Sequence, residues 1–247
     1  MTPTEAKGGP AAPQMWNELL GRAVTDDGYV DYDLMESERK VLDNYVAWLA
    51  KPKPDTKITH LRYAFWLNAY NALTIYQVLE RERPDSIMDV KGWLPKSGSG
   101  FFLETSFKIE HDWLSLWEIE HERIRQRQLD IRSHAAMNCA SMSCPPLRNE
   151  LYDNVKLNRQ LREQMTKWIN DPERGVYVEN DVVVFNPIFK WFAKDFDFWT
   201  AHQNICETAA TYARSPLRED LQYHAETGCP HRFFDYNWQL NDANNRN

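Results

Sequence analysis

The chain has 247 residues, with 43% hydrophobic and 26% charged residues and a formal net charge of −7. That balance excludes a disordered chain and a collagen-like repeat, and the acidic sign argues against a phosphate-backbone binder. No apolar run approaches the length of a membrane span, and the 10 Trp, 11 Tyr and 11 Phe against only 9 Gly point to a dense, rigid core.

Residues 1–13 (MTPTEAKGGPAAP) read as a flexible tail, and residues 14–247 as a single globular domain. The start carries no charged region followed by an apolar one, so no leader is visible as written and the compartment stays open. Gln14 to Val24 and Leu34 to Leu49 have the pattern of amphipathic helices joined by DDGYVDY, and KPKPDTK (51–57) is a Pro-broken connector. A long helix is expected from His60 to Arg83, closed by Pro84, then a loop over 92–100 and a short strand or two within Phe101 to Ile109. Helices are expected over 116–127 and 152–170. Val176 to Val178 and Val182 to Phe185 flank ENDV as a β-hairpin, and helices return at 188–195, 203–213 and 216–225. The fold class is therefore α+β, helix-rich, with a small antiparallel sheet.

Three stretches carry chemistry. In Tyr63 to Tyr76, Asn68 and Asn71 share one face of a helix that is apolar almost all round. Buried carboxamides need partners, so they either tie down a loop or line a site. In Trp113 to Arg125, Ser115 and Glu118 form a capping box that starts a helix at Ser115, with Leu114 and Ile119 as its staple. Leu114, Trp117, His121 and Ile124 then follow a 3-4-3 spacing that puts His121 on the apolar stripe. A histidine there is either a satisfied core residue or a general base. In Arg132 to Leu147, small residues surround Cys139 and Cys144, and Pro145-Pro146 stops any regular element. A thiol in such a segment is either a small buried hydrophobe, half of a tight-loop disulfide, or an activated nucleophile. His134 lies five residues from Cys139, a poor local pairing. No CxxC pair occurs, a metal site on His121, His134 and Cys139 has scattered spacing, and no metal or cofactor is expected. A Cys206–Cys229 disulfide is open.

The motifs DDGYVDY, AFWLNAYNALT, LSLWEIEHERIR, SHAAMNCASMSCPPL, FNPIFKWFAKDF and FFDYNWQLN stand in this order over about residues 16 to 241. In that order they resemble the domain-of-unknown-function family 547, widespread in bacteria, often with secretion signals, and found in plants after a leucine-zipper segment. The resemblance emphasises Asn68 and Asn71, Glu120 and His121, His134, Cys139, Cys144, Pro145 and Asp195. Plant members keep the equivalents of His121 and Cys139 and vary those of His134 and Cys144, which favours Cys139 as the chemical thiol and His121 as its partner.

Two expectations follow. The first is a thiol-dependent hydrolase or acyltransferase acting on an amide or thioester, with papain-like or transglutaminase-like architecture. Cys139 is its nucleophile, His121 its base, Glu120 or Asp195 the group orienting His121, and Asn68, Asn71 and His134 contact the substrate. A papain-like enzyme runs Cys before His, so the order here requires a permuted arrangement. The second is a non-catalytic domain that binds a peptide or protein, with Cys139 and His121 structural. The expected partner is a small molecule or peptide, with no nucleic acid and no membrane span; oligomeric state is not legible.

Overall fold

The computed structural model describes residues 11–53, 59–94, 98–198 and 204–245. Helix α1 (Ala12–Ala23) begins inside the stretch read as a tail, because Pro13 suits a first helical turn and Trp16, Leu19, Leu20 and Ala23 bury one face. The DDGY turn then reverses the chain through Gly28 at φ +88°, where a Cβ would meet the Leu147 backbone nitrogen at 2.6 Å. The expected helix over 34–49 is two helices, α2 (Tyr32–Ser37) and α3 (Arg39–Leu49). Asp31 caps α2, and Glu38 at φ −108° breaks the run. Most of the 51–57 connector lies outside the described residues.

The long helix α4 (Thr59–Glu80) is buried almost all round, and it ends where Glu82 and Arg83 both take left-handed backbone. The 92–100 loop lies partly outside the described residues. Gly98, in left-handed backbone, leads into a short helix α5 (Ser99–Phe102), so the strand expected from Phe101 is confined to β1 (Ser106–Ile109). It pairs antiparallel with β2 (Asp112–Ser115).

The capping box is present: the Ser115 hydroxyl accepts from the Glu118 N–H, and the Glu118 carboxylate accepts from the Ser115 N–H at 2.7 Å. Helix α6 (Leu116–Glu118) runs straight into a π-helical stretch, Ile119–Arg125, followed by α7 (Gln126–Gln128). After α8 (Ser133–Ala136) the chain is irregular until α9 (Leu157–Ile169). That helix starts five residues later than its pattern suggests, because side chains elsewhere hold the preceding backbone: Asn17 accepts from the Leu151 N–H and Asn68 from the Tyr152 N–H.

Strands β3 (Val176–Glu179) and β4 (Val182–Phe185) form the expected hairpin. After α10 (Ile188–Trp191), α11 (Ala193–Phe198), α12 (Ile205–Ala210) and α13 (Leu217–Glu226), a strand not read from the sequence, β5 (His231–Phe233), adds to β4 in parallel. The fold is α+β and helix-rich, and this second sheet is antiparallel on one side of β4 and parallel on the other. Cys206 and Cys229 form a disulfide between α12 and the turn before β5.

The buried apolar residues fall into two clusters. One gathers α1–α4, β1, β2, the π-helical stretch and the start of α9; the other gathers the end of α9, β3, β4 and α10–α13. The segment after β5 returns to the first cluster: Leu240 and Asn241 bond the backbones of Asp85 and Ala140, and Asn241 accepts from the Val30 N–H. No helix among the described residues is long and apolar enough to cross a membrane.

Candidate active site

A cavity of about 450 Å³ draws its lining from both clusters. Its walls are mostly apolar, with Met88, Phe102, Trp117, Trp191, Phe192 and Trp238 among them, and its polar groups include Tyr70, Glu120, His121, His134, Cys139, Cys144 and Tyr236.

The thiol loop is fixed from three directions. Asn71 donates to the Ala136 carbonyl and accepts from the Asn138 N–H, both at 2.9 Å. The buried Asn138 carboxamide donates to the Pro145 carbonyl at 2.8 Å, accepts from the Ala140 N–H at 2.9 Å and accepts from Asn241 at 3.1 Å. Ala140 is thereby held at φ +62°, a strained backbone for a residue with a Cβ. Asn68 does the same work one turn earlier, donating to the Tyr152 carbonyl and accepting from its N–H. Neither Asn68 nor Asn71 lines the cavity. The expectation that they contact a substrate gives way to the loop-fastening one, for the reason that their amide groups are taken up by backbone.

Cys139 and Cys144 are the free thiols, Cys139 partly exposed and Cys144 buried. The Cys139 sulfur lies 3.2 Å from the Ser141 hydroxyl and 3.3 Å from the Tyr236 hydroxyl. Burial alone would push this thiol up, but hydrogen bonds from Cys144, from Ser141 and from Tyr236 outweigh it and bring the thiol down to about 7. The same interaction, with burial leading, keeps Cys144 and Tyr236 protonated, each well above its ordinary value.

On the facing wall the π-helical stretch presents Glu120 and His121. Such stretches are rare and concentrate at functional sites. His121 is half-buried and stacks at 4.3 Å on Trp117, its neighbour in the 3-4-3 spacing. Its Nδ1 lies 3.1 Å from the Trp117 carbonyl. A carbonyl only accepts, so Nδ1 carries the proton and Nε2 keeps its lone pair. Burial and then Arg125 hold the imidazole down to about 4, so it is neutral at pH 7. Glu120 is pushed the other way. Burial, opposed by Arg125 and assisted by the Cys139 charge, raises its carboxyl to about 7, and the Tyr70 hydroxyl hydrogen-bonds it.

Asp195 is not the partner of His121. Its Oδ2 accepts from His134 Nε2 at 2.8 Å and from Arg125 Nε at 2.7 Å. Despite burial, those two bonds hold its carboxyl below the usual range. The His134 ring packs against Phe192 and Phe196, and burial drives its acidity so that it is neutral. The group that orients His121 is thus a backbone carbonyl, and neither Glu120 nor Asp195 does so. Neither histidine hydrogen-bonds Cys139. Among the described residues no group of three or more His, Cys, Asp or Glu is arranged to hold a metal ion.

Tyr70, Ser141, Tyr236 and Arg125 belong to this site and were not singled out from sequence. Tyr236 stands in the FFDYNWQLN motif, which marked its surroundings without giving it a role.

No curated protein and no solved structure matches the chain. Residues 56–169 match the model of the family described as "Protein of unknown function, DUF547". That span holds α4, the π-helical stretch and the thiol loop, while Tyr236 reaches the cavity from beyond it and Asp195 bonds the lining residue His134 from behind.

Proposed function

We propose that the cavity is the active site of a thiol-dependent hydrolase or acyltransferase acting on an amide or thioester. The observation that carries this reading is the setting of Cys139: a partly exposed thiol, held by hydroxyl and thiol donors that favour its thiolate, opening into an apolar-walled cavity. The thiolate attacks the acyl carbon, forming a C–S bond while the amine or thiol leaving group departs. Glu120, titrating near 7, has the acidity suited to protonating that leaving group. The unprotonated Nε2 of His121 then offers an acceptor for the proton of the water or amine that releases the acyl group. Asp195 acts through His134 by fixing its tautomer, and Asn68 and Asn71 act only by fixing loops.

Intact mass after incubation with phenyl thioacetate tests this. The wild-type chain should gain one acetyl group and the Cys139→Ala chain none. Acetylation no faster than that of the unfolded chain would refute it.

A second reading, a non-catalytic domain that binds a peptide or protein, draws support from the thiol's partners, among which there is no histidine. Under it, Cys139→Ala preserves the protein's role in cells.

A further inference from the structure

Cys144 makes and breaks no bond in the acyl chemistry above, where it only favours the Cys139 thiolate, yet it is placed against Cys139. The Cys139 N–H points at the Cys144 sulfur at 2.8 Å, and the Cys144 thiol lies 3.9 Å from the Met137 carbonyl. Cys139 is partly exposed and Cys144 buried, and both line the cavity. The loop between them is short, closed by the Cys144 N–H on the Ser141 carbonyl, and built from small residues and Met142. The other two cysteines are already joined to each other in the second cluster.

From this juxtaposition we infer that Cys139 and Cys144 are a redox pair, oxidised by hydroperoxides to an intramolecular disulfide that reversibly caps the nucleophile. In the first step the Cys139 thiolate attacks the outer oxygen of the hydroperoxide. An S–O bond forms, the O–O bond breaks, and the departing alkoxide or hydroxide takes a proton, leaving Cys139 as a sulfenic acid. In the second step the Cys144 sulfur attacks the Cys139 sulfur. The S–S bond forms, the S–O bond breaks, and the hydroxide leaves as water with the Cys144 proton. The dithiol gives up two electrons, and the hydroperoxide becomes an alcohol or water. The inference uses the reactivity of the Cys139 thiol but not acyl transfer, so it stands or falls separately from the hydrolase reading.

The test exposes the full chain at neutral pH to a small excess of hydrogen peroxide. Remaining thiols are blocked with iodoacetamide, and the tryptic peptide 133–148, which contains both cysteines, is weighed. The expected result is loss of both alkylatable thiols, with the peptide lighter by about 2 Da than its reduced form. In a Cys144→Ser chain, Cys139 should instead be trapped as a sulfenic acid by dimedone and then pass to the sulfinic acid. If that chain misfolds, the wild-type mass alone decides. A wild-type peptide with Cys139 in the sulfinic form beside an alkylatable Cys144, a disulfide between two chains, or a peptide that stays fully alkylatable would each overturn the inference.

Discussion

Removing the Tyr236 hydroxyl gives the most direct measure of how the Cys139 thiol is tuned. In Tyr236→Phe the ring still lines the cavity, but one donor, 3.3 Å from the sulfur, is gone. A hydrogen bond to a charged acceptor is worth about 1.5 kcal/mol, or roughly one pKa unit. The thiol at about 7 should therefore move up by ~1 unit. At neutral pH the thiolate fraction drops about fivefold, but each thiolate becomes roughly threefold more nucleophilic as its basicity rises. In a rate taken at one pH the two effects offset each other down to about a twofold fall. The assay is accordingly the complete pH profile of iodoacetamide alkylation, whose midpoint carries the shift and whose plateau carries the gain in nucleophilicity. Tyr223→Phe, an exposed tyrosine outside the cavity, is the control. A wild-type midpoint near the ordinary ~8.5 of a free thiol, or equal midpoints for wild type and Tyr236→Phe, would refute the account of the donors.

Two further outcomes follow from buried groups. Glu120 holds its proton in the folded chain up to about 7, against an ordinary 4.5, so its contribution to stability is complete below the ordinary value and lost as pH rises through 7. Urea unfolding over a pH series should show wild type losing on the order of 3 kcal/mol relative to Glu120→Gln between those limits; parallel curves would contradict it. Asn71→Ala strands the Ala136 carbonyl and the Asn138 N–H in the interior and should cost about 3 kcal/mol. Asn68→Ala, at a half-buried site, should cost less, and thermal melts that rank the two the other way would contradict the burial argument.

What was legible in the sequence was what is local. The Ser115–Glu118 box involves residues three apart, and the β3–β4 hairpin a turn of two, so their patterns announce them. The Asn68 and Asn71 pair announced a need for polar partners, but the partners are loop backbones 65 to 84 residues onward, which no periodicity encodes. The 3-4-3 spacing puts His121 beside Trp117, where its ring stacks, but neither the π-helical backbone nor the carbonyl that meets its Nδ1 is encoded in that spacing. Asp195 was marked, yet its choice of His134 and Arg125 depends on how α11 meets α8 and the π-helical stretch. Strand β5 is three residues long and mostly exposed, so it carries no hydrophobic signature. Tyr236 sits 97 residues from Cys139.

That last separation has a consequence for the chain as it is made. Synthesis delivers Cys139 long before Tyr236, so for the time needed to add 97 residues the thiol lacks a donor and lies in a half-built wall. At translation rates of about 5–20 residues per second this lasts several seconds. Through that interval the Cys139 sulfur has only its nearer donors, and the full set is assembled only when the returning segment docks.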